Sequence, residues 1–283
     1  MKTIFESYKT GLEISWQHKR AVFFLYGINL LFAYLMSLPF SAMLEQAMDY
    51  TAMADRLLQA FDLTAVVTLF EDYGRGTDLG WHILVFVILY LLLNTFFSAG
   101  VIRMMTRQNN FKVREFLNDC LEFFSRFFRL FLLTMGLLVA VFVLYLMITR
   151  LAGMLTKNAV TEIVPFLLFI SKITFFGLLV AWLNMVIDYT KIHMVIHDTG
   201  GAYRSLRYAL GFVFRNFVKT SGLYGLLMVT GLVFLLVYLG VEYYIPKHLA
   251  VGAALFFVVS QMYIFLRVWL RLVFYGGQMV LYE

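Results

Sequence analysis

Charged side chains are scarce in this chain of 283 residues. They make up 14% of it, and hydrophobic residues reach 62%. A soluble globular domain carries roughly 25% charged residues. The mean hydropathy of +0.81 agrees with the shortage of charge. Together these values exclude a soluble domain and predict an integral membrane protein.

Cysteine and catalytic motifs are also scarce. Cys120 is the single cysteine, which excludes an intramolecular disulfide and leaves no cysteine-based metal motif. The sequence has no P-loop, no dinucleotide-binding G-x-G-x-x-G and no G-x-S-x-G elbow. His193 and His197 are spaced for zinc on one helix face, but the glutamate of H-E-x-x-H is missing between them. We therefore predict no catalytic, cofactor-binding or metal site, and a protein that is not an enzyme.

Long apolar runs are what the sequence does contain. A helix needs about 20 predominantly apolar residues to span a bilayer, and six runs approach or reach that length. Because they lack the alternating pattern of barrel strands, they predict an all-α fold of six transmembrane helices arranged as three helical hairpins. The runs are about Ala21–Pro39, Trp81–Ile102, Leu130–Ile148, Val164–Ile187, Thr220–Leu239 and Leu249–Val268.

The distribution of Lys and Arg predicts the orientation. Of the 23 basic residues, 17 fall before the first run, in the links after the second and fourth runs, or at and after the end of the sixth. The positive-inside rule then places both termini in the cytoplasm. Residues 41–80 become the longest outer loop, with helically spaced apolar residues that predict one or two amphipathic helices against the outer face.

Two cytoplasmic links are predicted to form amphipathic helices, at about Phe111–Arg129 and Ala202–Phe217. On a helical wheel the first places an apolar stripe opposite its charges, and the second does the same. Such helices before a span are typical of the membrane interface, and packing against the protein's own spans is a compatible alternative. The predicted stripes contain Val113, Phe116, Leu117, Cys120, Leu121, Phe124, Phe127 and Phe128 in the first helix, and Tyr203, Leu206, Leu210, Val213 and Phe217 in the second.

The cations of these helices are the candidate lipid-headgroup ligands. Nucleic acid would need aromatic rings and cations exposed on one surface, and the wheel segregates them, so we predict membrane lipids and no nucleic acid as partners. Phe116, Phe124 and Phe128 are expected at the acyl boundary. The headgroup candidates are Arg114, Arg126, Arg129, Arg204 and Arg215.

The chain also repeats itself. A shift of 89 residues aligns Leu117, Arg126 and Gly136 with Leu206, Arg215 and Gly225, among other matches, and a weaker echo relates residue 12 onward to residue 121 onward. Internal repeats of this kind indicate a repeated structural unit. We predict a single membrane domain, 1–283, built from repeat-like units 1–102, 103–191 and 192–283.

Polar residues are concentrated in the fourth span. Lys172, Asn184 and Asp188 are candidate intramembrane polar residues, because an ionisable group inside a bilayer marks a functional site by default. Lys172 has a second interpretation, in which its long stem carries the ammonium group to the outer interface. A path lined by these residues would indicate a transporter or permease component.

Three segments carry a resemblance to a family. FSAGVIRMMTRQNNFKVREFLNDCLEFFSRFFRLFLL resembles the span, small-residue turn, basic link and aromatic helix of uncharacterised six-span bacterial membrane proteins. VIDYTKIHMVIHDTGGAYRSLRYALGFVFRNF is similar to their second linker, and GGQMVLYE to their C-terminal end. The membrane region attached to some glycerophosphodiester phosphodiesterases has the same general plan. The resemblance implies a bacterial inner-membrane location and carries over no catalytic residue.

The leading hypothesis from the sequence is a non-enzymatic inner-membrane protein that organises lipid or a membrane-protein partner. The alternative is a transporter or permease component that uses the polar residues of the fourth span.

Overall fold

The computed structural model describes residues 3–48, 79–107, 111–156, 163–245 and 250–283. Within these ranges the chain is helical and has no strand, which confirms the all-α prediction. The eight helices of the described residues are α1 (Ile4–Gln17), α2 (Lys19–Met48), α3 (Leu79–Arg107), α4 (Val113–Thr156), α5 (Ile163–Ile196), α6 (Ala202–Arg215), α7 (Phe217–Tyr244) and α8 (Ala250–Tyr282).

Six of these helices are long and apolar enough to cross a membrane. Each contains one of the six apolar runs, so the six-span membrane fold predicted from the sequence is confirmed. The candidate spans are Lys19–Pro39, Gly80–Arg107, Val113–Met154, Phe166–Ile196, Phe217–Tyr244 and Val251–Tyr282.

The first span does not end its helix at Pro39. Helix α2 continues to Met48, although proline removes one helical hydrogen bond. The hydroxyls of Ser37 and Ser41 donate to the carbonyls of Tyr34 and Leu38. Neither is the Leu35 carbonyl, which Pro39 leaves without its helical donor. The predicted amphipathic helices of residues 41–80 lie beyond this point, mostly outside the described residues.

Helix α4 joins two predicted elements. The amphipathic segment and the third span form one uninterrupted helix of 44 residues, about 66 Å long at 1.5 Å per residue. The apolar core of a bilayer is about 30 Å thick, so α4 projects well beyond it. The 34 residues of α5 also exceed the bilayer core.

The chain divides into two compact units. The first comprises Met1–Ile14, Thr95–Leu227 and Val273–Glu283, and the second comprises Ser15–Asn94 and Met228–Leu272. The most deeply buried large side chains of the described residues all belong to the first unit: Tyr189, Phe116, Phe123, Phe127, Ile102, Leu130, Met185, Ile192, Met194 and Leu223. By contrast, only 6% of the most apolar window is buried in α4, α5, α7 and α8. The protein core therefore lies largely outside the most apolar parts of the spans.

Two glycines allow close helix crossings in the first unit. A Cβ on Gly11 of α1 would lie 2.7 Å from the amide nitrogen of Gly277 in α8, closer than atoms pack. A Cβ on Gly100 of α3 would lie 2.9 Å from a ring carbon of Phe116 in α4. Small residues at such crossings let membrane helices approach at backbone distance. These contacts fix α1 against α8 and α3 against α4.

Candidate functional site

Helix α6 packs antiparallel to the end of α5. Three ring pairs show the direction, because their numbers rise along α5 and fall along α6: Trp182 with Phe214 at 5.4 Å, Tyr189 with Phe212 at 5.3 Å, and His193 with Tyr208 at 5.2 Å between ring centroids. The face of α6 that meets the protein carries the buried residues Ser205, Leu206, Ala209 and Val213.

The opposite face of α6 differs from the wheel prediction. Leu206 and Val213 of the predicted stripe are buried, which agrees with the alternative of packing against the protein, but Tyr203 is 74% exposed. Phe217 begins α7 and is exposed too. Tyr208 and Phe214 are also exposed, at 60% and 64%, beside exposed arginines. The predicted segregation of aromatic rings from cations is therefore wrong for α6. The wheel gave the direction of the apolar stripe, but a tyrosine ring is amphipathic enough to lie at its exposed margin.

The turn between α5 and α6 is held by side chains. Asp198 adopts φ 49°, a left-handed conformation that aspartate tolerates better than most residues. Its carboxylate forms an ion pair with Arg126 of α4, and the hydroxyls of Thr199 and Ser205 lie 2.8 Å apart. The hydrogen bond from Arg126 and its charge lower the pKa of Asp198 below its ordinary value. The start of α6 is thereby tied to α4.

Arg126 is therefore engaged with protein groups, although its partner Asp198 is exposed. Its guanidinium pairs with Asp198 and lies 5.0 Å from the ring centroid of Phe123. The guanidinium of Arg103 lies 5.5 Å from the same ring centroid. Contacts of this kind between a cation and a ring face are attractive. Of the predicted headgroup ligands in α4, only Arg114 and Arg129 are exposed, and Arg129 bonds locally to the hydroxyl of Ser125 at 3.3 Å.

The end of α8 packs against one side of α6. The hydroxyl of Tyr282 lies 2.6 Å from Nδ1 of His193, and its ring centroid lies 4.7 Å from that of Phe212. This hydrogen bond and ring contact hold the Tyr282 side chain in place against both α5 and α6.

An open groove of about 950 Å³ runs along α6 beside Tyr282. Positions 204, 208, 211 and 215 follow the helical spacing i, i+4, i+7 and i+11 and so share one face. Gly211 lies in the middle of this row, where a Cβ would meet nothing within 4 Å. We call this feature the arginine groove, and it is lined by Arg204, Arg207, Tyr208, Gly211, Phe212, Arg215, Asn216 and Tyr282.

The charges of the arginine groove are not neutralised within the described residues. The ion pairs found there, such as Arg107 with Asp119 at 2.9 Å, involve none of Arg204, Arg207 and Arg215. Helix α6 has no acidic residue in its first turn, and its N-cap Gly201 offers no side-chain cap. Arg204 and Arg207 therefore lie in the first two turns of a helix, near its positive end. This arrangement strongly favours an anion.

The predicted ligands Arg204 and Arg215 thus come together in one groove, while Arg114 and Arg129 lie on α4. Arg207 was not among the predicted ligands, although its i+3 spacing from Arg204 was a usable signal. Asn216 and Tyr282 were also missed. Nothing in the local sequence indicates that a residue near position 282 reaches α6, because that contact depends on the fold of the whole first unit.

Phe116 was predicted at the acyl boundary, and this is wrong. The side chain is 2% exposed, stacks on Phe97 at 6.1 Å between ring centroids, and covers Gly100. The buried row of this segment is rotated from the predicted stripe, because α4 packs closely against α3 at the glycine: it consists of Phe116, Cys120, Phe123, Phe127 and Leu130. Val113 and Leu121 are exposed instead, and Phe124 and Phe128 are half-buried.

The candidate polar residues of the fourth span are not brought together. Lys172 is half-buried and makes no ion pair within the described residues, whereas Asn184 is exposed. Twelve residues separate them along α5, which is about 18 Å of helix axis. Asp188 lies one turn beyond Asn184 and pairs with Lys191 at 3.2 Å. Lys172 and Asn184 do not line the arginine groove.

His193 and His197 lie next to each other, with ring centroids 4.6 Å apart. The part of the chain that the structure describes holds no group of three His, Cys, Asp or Glu residues suited to a metal ion. Nδ1 of His193 is already engaged with Tyr282.

No protein-family model, curated protein or solved structure matches this chain.

Proposed function

We propose that this polytopic membrane protein organises anionic lipid and does so without catalysing a reaction. The observation that carries the proposal is the outward face of α6. There Arg204, Arg207 and Arg215 are exposed beside aromatic rings and have no ion-pair partner among the residues that the structure describes. A transmembrane candidate begins immediately after this face, at Phe217. Mixed tyrosine and cationic residues next to a span are typical of the headgroup region of a bilayer.

The proposed orientation brings this face to the cytoplasmic leaflet of a bacterial inner membrane, with both termini on the same side. That leaflet is rich in anionic lipid, and each cation near its surface contributes about 1 kcal/mol to attraction. Arg114 and Arg129 on α4 would add to the same basic surface. Polar residues of the fourth span do not support transport comparably, because Lys172 and Asn184 are far apart along α5.

The outward face of α6 exposes aromatic rings and cations together, and this combination suits lipid headgroups better than nucleic acid. The phosphates nearest to a residue directly preceding a span are those of lipid headgroups. Extended nucleic-acid sites need a groove that follows a polynucleotide backbone over several nucleotides. One face of a single 14-residue helix, followed directly by a candidate membrane span, fits a lipid surface better.

The lipids retained by the full-length protein test this proposal. The protein would be extracted in mild detergent, and its co-purified lipids compared by mass spectrometry with those of the membrane it came from. We expect enrichment of anionic over zwitterionic phospholipid. A variant in which Arg114, Arg129, Arg204, Arg207 and Arg215 are all glutamine should lose that enrichment while keeping its membrane insertion. Lipid identical to the bulk composition for both proteins would contradict the proposal.

A further inference from the structure

The arginine groove is longer than a single phosphate requires. The Cα atoms of Arg207 and Arg215 are separated by eight residues, or about 12 Å of helix axis, and those of Arg204 and Arg215 by about 16 Å. One arginine can hold one phosphate through two parallel hydrogen bonds. The groove therefore has cations for one phosphate near the start of α6 and for another near its end.

The two ends of the groove attract anions for different reasons. Arg204 and Arg207 lie beside the first N–H groups of α6, where the helix itself favours a negative charge. Arg215 and Asn216 lie at the other end, where the side-chain amide of Asn216 donates to the carbonyl of Phe212. Because the helix dipole is unfavourable to an anion at that end, the second phosphate depends on the arginine side chain.

The middle of the groove leaves room for the group that connects two phosphates. Gly211 contributes no side chain there, and a Cβ would meet no atom within 4 Å. Tyr282 forms one wall and is held by His193 and Phe212. A volume of about 950 Å³ is also large for inorganic phosphate and falls within the range of small-molecule sites.

The position of Arg215 identifies the source of the ligand. Only Asn216 separates it from Phe217, the first residue of the fifth candidate span. The end of the groove is thus continuous with the surface that acyl chains would contact. A ligand anchored in the bilayer reaches the groove without leaving the membrane, whereas a soluble phosphate ester gains no such contact.

We propose that the arginine groove binds one lipid molecule whose headgroup carries two phosphate groups, a proposal that rests on the lipid-organising role proposed above. Arg204 and Arg207 hold one phosphate, Arg215 holds the other, and the linker between them passes over Gly211 beside Tyr282. The site selects such a lipid because a headgroup with one phosphate leaves one end of the groove without an anion.

Native mass spectrometry of the full-length protein in mild detergent tests the proposal. The protein would be titrated separately with diphosphatidylglycerol, phosphatidylglycerol, phosphatidylcholine, soluble glycerol bisphosphate and a short single-stranded RNA. We expect one molecule of diphosphatidylglycerol to bind at least about tenfold more tightly than phosphatidylglycerol, since loss of one charged hydrogen-bonded contact has about that effect.

Substitutions assign the binding to the groove. Arg204→Gln with Arg207→Gln, and separately Arg215→Gln, should each reduce the preference for two phosphates to less than about threefold. Arg204→Lys with Arg207→Lys keeps the charge and should retain part of the preference. The matched control is Lys19→Gln with Arg20→Gln, which removes two exposed cations outside the groove and should leave the preference unchanged.

Each alternative result has a distinct meaning. Equal binding of phosphatidylglycerol and diphosphatidylglycerol overturns the two-phosphate site but leaves the anionic-lipid role intact. Glycerol bisphosphate or RNA binding as tightly as diphosphatidylglycerol overturns the lipid as the ligand. A preference that survives both groove variants moves the site elsewhere on the protein. Failure to distinguish any anionic lipid from phosphatidylcholine contradicts the proposed function itself.

Discussion

The hydroxyl of Tyr282 lies 2.6 Å from Nδ1 of His193, so the end of α8 is joined to the end of α5 across 89 residues of sequence. Tyr282 also contacts Phe212 of α6. One side chain therefore connects three helices at the edge of the arginine groove. The consequence is that the shape of this groove depends on the final turn of α8.

Removing the Tyr282 hydroxyl should break the hydrogen bond to His193 and leave the ring packed against Phe212. We expect Tyr282→Phe to destabilise the protein by about 1 kcal/mol, the net value of one hydrogen bond. Thermal unfolding in detergent measures the change. Tyr203→Phe is the matched control, since that ring is 74% exposed and should give no change. Equal unfolding temperatures for Tyr282→Phe and the unmodified protein would show that the bond does not stabilise the fold.

Gly11→Ala should separate α1 from α8. The new methyl group would lie 2.7 Å and 2.9 Å from backbone atoms of Gly277, which cannot rotate away as a side chain could. Overpacking of this kind costs about 1–3 kcal/mol. The control is Gly27→Ala in α2, where a Cβ meets nothing within 4 Å and alanine favours the helix. If both variants unfold at the same temperature, the close crossing is not a determinant of stability.

The predicted orientation can be checked with reporter fusions. A reporter that reveals its side of the membrane would be joined after Gly74 in one fusion and after Gly200 in another. We expect the first fusion to report the outside and the second to report the cytoplasm. The expectation follows from the excess of Lys and Arg in the links that include Gly200. Two fusions that report the same side would exclude the topology.

Lys172→Met tests the transport alternative. If the ammonium group of Lys172 reaches the membrane interface, its replacement should leave membrane insertion, thermal stability and lipid enrichment nearly unchanged. The measurement compares these three properties with those of the unmodified protein. Normal insertion together with a strong loss of a cellular phenotype would instead assign Lys172 a role inside the span.

Acid should weaken the tie between α4 and the turn before α6. Arg126 holds the pKa of Asp198 below its ordinary value of 3.8. A carboxyl whose pKa is lowered by folding stabilises the protein above its unfolded pKa, and that contribution disappears as the pH falls through the folded pKa.

The unfolding temperature of Asp198→Asn, relative to the unmodified protein, measures this contribution. Asparagine also tolerates the left-handed conformation at this position, so the substitution removes mainly the charge. We expect a small difference that stays constant from neutral pH to about pH 5 and closes at lower pH. A difference that grows as the pH falls would contradict the sign of the pKa shift.

Local sequence patterns predicted the helices of this fold better than the contacts between them. The apolar runs located all six spans, because length and hydropathy are properties of each segment alone. Periodicity also placed Leu206 and Val213 on the buried face of α6. It placed Phe116 in lipid, however, since a helical wheel does not reveal that a glycine of α3 brings another helix against that ring.

The candidate site was predicted in part for the same reason. Arg204 and Arg215 were found from the charge pattern of one helix. The engagement of Arg126 with Asp198 was not, because it joins residues 72 positions apart through the turn after α5. Tyr282 could not be assigned to the groove before α8 was placed against α5 and α6.

The first unit contains both Met1–Ile14 and Val273–Glu283, and Gly11 meets Gly277 within it. A ribosome adds about 5–20 residues per second, so roughly 13 to 53 s separate the synthesis of these two glycines. During that interval the early spans can enter the bilayer one after another, each with its backbone hydrogen bonds already satisfied. The buried centre of the first unit cannot close until Val273–Glu283 has been translated. Insertion of the early spans thus precedes assembly of the first unit, which has to wait for residues Val273–Glu283.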